Sequence, residues 1–138
     1  MDLRLPVRVY QGRVERVTGP NSLDVRLEIG FRVTIVRKLI LEGVETLSLS
    51  TEMRKRASHC LVVIAGGKDV IGLVDDTGMD GHLKARLYLP VTPDVTHPGI
   101  ATPAWADVPL TDIGECLRWA SQHDYDATEA RRMMRGVP

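Results

Sequence analysis

The sequence is poor in cysteine, and it has no long run of apolar residues. Cys60 and Cys116 are too few and too far apart for a disulfide framework or a zinc site. We interpret them as buried thiols in a reducing cytoplasm, with one disulfide as the alternative. An apolar run of about 18 residues, the minimum for a membrane-spanning helix, is missing. Residues 1–9 also lack the apolar segment of a signal peptide, so we expect a cytoplasmic protein without membrane association.

The chain also lacks net charge, because 18 basic residues balance 18 acidic residues. The two signs are distributed unevenly: residues 1–60 hold 11 basic and 7 acidic residues, whereas residues 61–138 hold 7 and 11. Such an asymmetry can steer one face of a protein toward a polyanion. The alternative is that the charges are solvated and spread over the surface.

Alternating apolar and polar residues predict five strands. The alternation is regular in residues 23–29 and 83–89, which is typical of strands with one buried face. In the first predicted strand the phase shifts after Gly12, which indicates a bulge or a bend. The predicted strands cover residues 7–17, 23–29, 31–41, 70–74 and 83–89.

Helical periodicity follows the third predicted strand. Apolar residues recur there on one helix face, with Ser50 or Thr51 as the N-terminal cap and Gly66 and Gly67 at the C-terminal end. These apolar residues are Met53, Ala57, Cys60, Leu61 and Ile64. One helix is therefore expected between the third and fourth strands.

The last third of the chain predicts an extended connection and two helices. Residues 90–108 contain four prolines and favour an extended path. A helix is expected to open near Thr111, and a capping box at residues 126–129 predicts a short last helix that ends at Gly136.

This order of elements predicts a five-stranded barrel of the OB type. The fold class is α+β and mainly β, with a helix inserted after the third strand and helices at the C-terminal end. We expect residues 1–90 to form the barrel with its inserted helix. Residues 91–138 are expected to form the proline-rich connection and the C-terminal helices, which pack on the same domain.

Four stretches of the chain agree in spacing with sequence motifs of one known protein family. Residues 17–23 (VTGPNSL) match the acidic turn V-x-D-G-D-T-L, and residues 40–48 (ILEGVETLS) match R-L-x-G-I-D-x-P-E. Residues 29–35 (IGFRVTI) match L-G-F-x-V-T-I, and residues 75–84 (DDTGMDGHLK) match D-x-T-G-x-Y-G-R-x-L. With these stretches the chain resembles the thermonuclease (staphylococcal-nuclease-like) family, in particular its phage-encoded members. The similarity spans residues 8–90 and implies a protein of phage or prophage origin, located in the host cytoplasm if it is phage-encoded.

The chain departs from these motifs where the family carries its catalytic residues. In the family, two acidic residues hold calcium, a glutamate activates water and two arginines contact the phosphate. The matching positions here are Asn21 and Glu45, Ser48, and Ile40 and His82. Calcium requires several oxygen ligands, and phosphodiester cleavage requires cations beside the phosphoryl oxygens. We therefore expect a catalytically inactive protein without metal or other cofactor; calcium is expected only if residual activity exists.

The basic residues favour nucleic acid as the partner. Six cations fall on the first three predicted strands or their turns, where they can contact phosphates along the barrel. They are Arg13, Arg16, Arg26, Arg32, Arg37 and Lys38. Against this interpretation, Glu15, Asp24 and Glu28 are interleaved with them, and aromatic residues make up only 4% of the chain. We expect Phe31 to pack in the core, so no base-stacking platform is predicted.

Two other functions remain open. A barrel without its catalytic site can act as a scaffold that binds a host or phage protein, with Trp105 and Trp119 as anchors. The simpler alternative for both tryptophans is that they attach the C-terminal segment to the barrel. The second alternative is a calcium-dependent phosphodiesterase with a rebuilt site.

Overall fold

The predicted strands and helices follow one another along the chain in the predicted order. This computed structural model describes residues 8–75, 83–90, 100–107 and 109–134. Its elements are β1 (Arg8–Val17), β2 (Ser22–Gly30), β3 (Val33–Leu41), α1 (Thr51–Ala65), β4 (Asp69–Asp75), β5 (Leu83–Leu89), β6 (Ile100–Ala101), β7 (Leu110–Asp112), α2 (Ile113–Ser121) and α3 (Ala127–Met133). The five predicted strands and the three predicted helices are all among them.

The first five strands form a closed barrel. β1 pairs antiparallel with β2 and β4, β2 pairs antiparallel with β3, and β4 pairs antiparallel with β5. A parallel pairing of β3 with β5 closes the ring, from Leu39 opposite Leu83 to Leu41 opposite Ala85. With α1 inserted after β3 and two helices at the C-terminal end, the expected five-stranded OB-type barrel is confirmed.

A short hairpin of β6 and β7 extends the sheet from β5, and the sequence did not predict it. Thr111 belongs to β7, so α2 begins later than expected, at Ile113, with Asp112 as its N-cap. These strands are too short for alternation to reveal them. Of the predicted extended connection, residues 91–99 and 108 lie outside the described residues.

Side-chain hydrogen bonds cap the N-termini of α1 and α3 at the positions that the sequence predicts. The Oγ of Ser50 accepts a hydrogen bond from the N–H of Met53 at 3.2 Å. Likewise, the carboxylate of Asp126 accepts one from the N–H of Thr128 at 2.8 Å. The predicted end of the last helix at Gly136 lies outside the described residues. Among the helices that the structure describes, none has the length and apolarity to cross a membrane.

β1 contains the bulge that its sequence indicates. Its register with β2 shifts between Val14 and Arg16, and as a result Val14 and Val17 both reach the core. Gly12, just before the bulge, packs closely against β2: a Cβ there would lie 2.7 Å from the carbonyl oxygen of Arg26. A side chain at this position would therefore push the two strands apart.

One hydrophobic core includes residues of the barrel strands and of all three helices. Cys60 and Cys116 are buried in it as free thiols, which confirms that they are buried and unpaired with each other. Burial raises the pKa of Cys60 to about 11 and that of Cys116 to about 12. Both thiols are therefore protonated at neutral pH, and their reactivity is low.

Replacing Leu39 tests the importance of barrel closure. Leu39 is fully buried and pairs with strands on both sides, β2 and β5. We expect Leu39→Ala to lower the free energy of unfolding by about 2–5 kcal/mol in urea titrations, because it leaves a cavity at the closing contact. Val36→Ala on the same strand is the control, since that exposed side chain should change stability by less than about 0.5 kcal/mol. Equal effects of the two variants would contradict the described packing.

Candidate nucleic-acid interface

Hydrogen bonds fasten the turn between β1 and β2 to the end of β3. The N–H of Thr18 donates to the carbonyl oxygen of Ser22 at 2.9 Å, and the two hydroxyl groups are hydrogen-bonded at 2.9 Å. The carbonyl oxygen of Asn21 accepts from the N–H of Leu41 at 2.8 Å. The side-chain amide of Asn21 donates to the carbonyl oxygen of Val44 at 3.2 Å. Asn21 thus holds together two segments of the barrel end.

Two of the positions that match the family site are neighbours in the structure. Ile40 is the register partner of Ser22, the residue after Asn21, and of Lys84 on the other side. Lys84 in turn lies opposite Asp75 of β4. The strand register therefore brings a lysine beside Ile40. This lysine was not among the predicted site residues, because the motif it falls in assigns that position no charge.

The remaining positions do not complete a calcium site. Glu45 and Ser48 are exposed in the segment after β3, and the Glu45 carboxylate accepts a hydrogen bond from the N–H of Leu47. His82 lies outside the described residues. Within the described ranges, no three His, Cys, Asp or Glu side chains come together as metal ligands. One exposed carboxylate and an amide engaged with the backbone are a poor ligand set for calcium.

The hairpin formed by β2 and β3 continues beyond the barrel. The last pair that joins β2 to β1 is Leu27 with Gly12, and the pairing of β3 with β5 starts at Leu39. Residues 28–38 are called the β2–β3 arm below. Residues 28–34 pair only with each other, whereas residues 35–38 of β3 pair with residues 24–27 of β2 in the barrel wall, and β3 has no second partner strand along the arm among the described residues. The arm exposes apolar surface, since Val33 and Val36 are 49% and 44% exposed.

A two-residue turn ends the β2–β3 arm. Gly30 pairs with Val33, which leaves Phe31 and Arg32 as the turn residues. Their φ angles are 52° and 61°. Positive φ at both central residues is characteristic of type I′ hairpin turns, where Asn and Gly are preferred. Holding non-glycine residues in such conformations costs on the order of 1–3 kcal/mol each.

The prediction that Phe31 packs in the core is wrong. Its side chain is fully exposed, at 102%. The alternation from residue 31 onward suggested a strand with an inward-facing Phe31, but β3 starts only at Val33. At a two-residue turn, no neighbouring strand is close enough to cover the ring.

The six predicted cations divide into two groups of three. The first group lies on the barrel wall and is engaged with carboxylates. These ion pairs are Arg13–Asp69 (3.9 Å), Arg16–Asp24 (2.8 Å) and Arg26–Glu15. The second group consists of Arg32, Arg37 and Lys38 on the β2–β3 arm, which are exposed and form no ion pair within the described residues. Of the six predicted cations, the three on the arm are therefore the ones without an ion pair among the described residues.

Arg37 and Lys38 leave β3 on opposite faces, because side chains alternate along a strand. Lys38 lies opposite Asp24, whose carboxylate already binds Arg16. Arg37 lies opposite the buried Val25, yet Arg37 itself is exposed. Both faces of the arm near the barrel thus present positive charge.

The two tryptophans make different contacts. Trp105 packs edge-to-face on Tyr88, with ring centroids 5.5 Å apart and planes at 77°, and it is 38% exposed. Burial is the main cause that raises the pKa of Tyr88, and the Asp112 carboxylate adds to it. Trp119 packs against the core and lies 4.2 Å from the ring of His123. Trp119 therefore fastens α2 to the core, whereas Trp105 keeps exposed surface.

Comparison of the chain with protein-family models and with curated proteins gave no match. The likeness to the thermonuclease family remains a hypothesis drawn from the four sequence stretches.

The role of Asn21 can be tested by exchanging its amide for a carboxylate. Asn21→Asp places an acceptor toward the carbonyl oxygen of Val44. We expect a loss of about 1–3 kcal/mol in the free energy of unfolding at neutral pH, measured by urea titration. The protonated form of the new carboxyl can donate to the carbonyl oxygen of Val44, so folding raises its pKa. Lowering the pH should therefore recover part of the lost stability. The control Asn21→Ala should lose less and show no such pH dependence, and equal stability of Asn21→Asp and wild type would contradict the structural role.

Proposed function

We propose that this protein binds the sugar–phosphate backbone of nucleic acid through its β2–β3 arm and does not cleave it. The observation that carries the proposal is the concentration of Arg32, Arg37 and Lys38 on the arm, where none of them forms an ion pair with another described residue. Phosphate contacts by lysine and arginine release condensed counterions, and this release drives binding without regard to sequence. The strand 2–3 face is also where OB-type barrels bind oligonucleotides.

The residues at the positions of the family site support the absence of cleavage. Asn21 is engaged with the backbone of Val44, and Ile40 provides no charge. Glu45 is hydrogen-bonded to its own loop. We include in the proposal that the chain is a degenerate thermonuclease-like protein of phage or prophage origin that acts in the host cytoplasm; the four motif-like stretches support that part.

The arm cations also fit a second role, the protection of an exposed strand edge. Exposed edge strands commonly carry lysine or other charges that prevent pairing with a second sheet. β3 is such an edge along residues 33–38 of the described chain, so Arg37 and Lys38 can serve that purpose. Arg32 does not fit this role, because it lies in the turn beyond the paired strand. The three cations together therefore favour an anionic ligand.

A protein-binding scaffold is the second candidate function, and Trp105 is the observation that favours it. The ring of Trp105 is partly exposed and packs edge-to-face on Tyr88 of β5. Tryptophan is common among the residues that contribute most to protein interfaces. Trp119 offers less surface for this role, since it is partly buried and packs against the core.

Neutralising the arm tests the proposed function. We expect Arg37→Gln combined with Lys38→Gln to weaken binding to labelled oligonucleotides of different sequence to a similar degree in anisotropy titrations. The slope of log affinity against log salt should fall by about 1 for each phosphate that the variant no longer contacts. Lys55→Gln combined with Arg131→Gln, on α1 and α3, removes the same charge and should leave the slope unchanged. Unaltered binding by the arm variant would contradict the proposal, and a wild-type protein that binds no oligonucleotide would redirect attention to Trp105.

The absence of cleavage gives a separate test. We expect the anisotropy of a bound labelled oligonucleotide to stay constant over time, and equally so with calcium and with a chelator. A calcium-dependent fall in anisotropy would show cleavage and establish the phosphodiesterase alternative. In that case Glu45→Ala should abolish the fall, whereas Glu42→Ala, which removes a neighbouring carboxylate paired with Arg86, should not.

A further inference from the structure

We propose that Phe31 stacks on an unpaired base and thereby makes the β2–β3 arm select single-stranded over double-stranded nucleic acid. This inference rests on the proposed function and goes beyond it, because backbone contacts alone do not distinguish bases that are free from bases that are stacked within a duplex. It assigns a ligand contact to a residue that matches no part of a catalytic site.

Exposure is the first argument. Phe31 is fully exposed at the end of a hairpin that leaves the barrel, so a flat ligand can reach its ring without moving any other group. Aromatic side chains on single-strand-binding proteins act as platforms for successive bases, and the contact tolerates every base because each has a π-face. In a duplex the base faces are already covered by their neighbours. An exposed ring therefore favours a single strand.

Positive charge near the ring of Phe31 also favours a nucleic-acid ligand. Arg32 follows Phe31 directly, and Arg37 and Lys38 lie at the other end of the arm. Four residues lie between Arg32 and Arg37, and five steps at the usual rise per residue of a strand span about 16 Å. A nucleic-acid strand whose base contacts Phe31 can therefore contact one cation beside the ring and further cations where the arm joins the barrel.

The acidic residues of the arm argue against an anionic membrane as the ligand. Glu28 lies on the arm, and Asp24 and Glu15 lie on the adjoining wall. A planar anionic surface would have to approach these carboxylates together with the cations. A single strand is flexible and can follow the cations alone.

Backbone strain at the tip is the third argument. Phe31 and Arg32 both hold positive φ, in a turn that Asn-Gly would form more readily. Strained residues that persist in a structure point to function rather than to stability. Relaxing the turn should therefore raise stability and weaken binding, a combination that a merely structural role for Phe31 does not produce.

The test compares Phe31→Leu, Phe31→Tyr and Phe31→Asn with the wild-type protein. All three keep every charge. The ligands are an oligothymidylate, an abasic strand of the same length and a duplex, each measured by anisotropy at one fixed salt concentration. We expect Phe31→Leu and Phe31→Asn to bind the oligothymidylate about 5- to 150-fold more weakly than wild type, as removal of one base–aromatic stack implies. Phe31→Tyr should retain binding.

The abasic strand and the duplex isolate the stacking contact. For both ligands, the wild-type protein and Phe31→Leu should agree within about twofold, because neither ligand offers a free base face. We also expect Phe31→Asn to raise Tm by roughly 3–10 °C, since Asn tolerates positive φ. A lowered Tm in Phe31→Asn would overturn the strain argument.

Failure of this inference can be distinguished from failure of the proposed function. If the wild-type protein binds both strands and Phe31→Leu binds them equally well, stacking is wrong while backbone binding stands. If the wild-type protein binds neither strand nor duplex, both proposals are wrong. Binding of phosphatidylglycerol vesicles that depends on Phe31, or a wild-type dimer that Phe31→Leu dissociates, would likewise overturn the assignment to a base.

Discussion

The parallel contact between β3 and β5 is the interaction on which the rest of the structure depends. It spans only Leu39 to Leu41, and the hydrogen bond from the N–H of Glu42 to the carbonyl oxygen of Ala85, at 2.9 Å, extends it by one residue. Because this short contact holds the second half of β3 in the wall, the first half is left to pair with β2 alone. β3 thus contributes to both the arm and the closed part of the barrel, and Leu39 is the residue at which one passes into the other.

The barrel wall and the β2–β3 arm also differ in how their positive charges are compensated. On the wall, cross-strand neighbours include two arginines directly opposite each other, Arg13 and Arg26, a repulsive arrangement. Asp69 and Glu15 compensate for it by ion pairing with one arginine each. Exposed pairs of this kind contribute little to stability, but they reduce the positive potential of the wall. A chain with no net charge therefore concentrates positive charge on the arm, where such compensation is missing among the described residues.

The barrel was predictable from the sequence, whereas its most exposed feature was not. Regular alternation located β2 and β5, and the phase shift after Gly12 located the bulge, because a buried face imposes a period of two on any strand. Phe31 was misassigned because apolar character predicts burial only where a neighbouring element exists to cover the side chain. The ion pairs of Arg13 and Arg16 depend on which residues lie opposite each other on neighbouring strands, and the sequence alone does not reveal this register. The cations were therefore found from sequence, and their division into engaged and available groups required the structure.

The order of the strands along the chain has a consequence for synthesis. β1, β2 and β3 leave the ribosome before α1, β4 and β5, and they can pair at once as a meander. Until β4 and β5 follow, both outer edges of the meander and its apolar face, with Leu23, Val25 and Leu27, are open to other nascent chains. The cations of β3 lie along one of these edges, and mutual repulsion between them opposes the pairing of two such chains. The residues proposed to hold a nucleic-acid strand in the finished protein thus also favour solubility while the protein is being made.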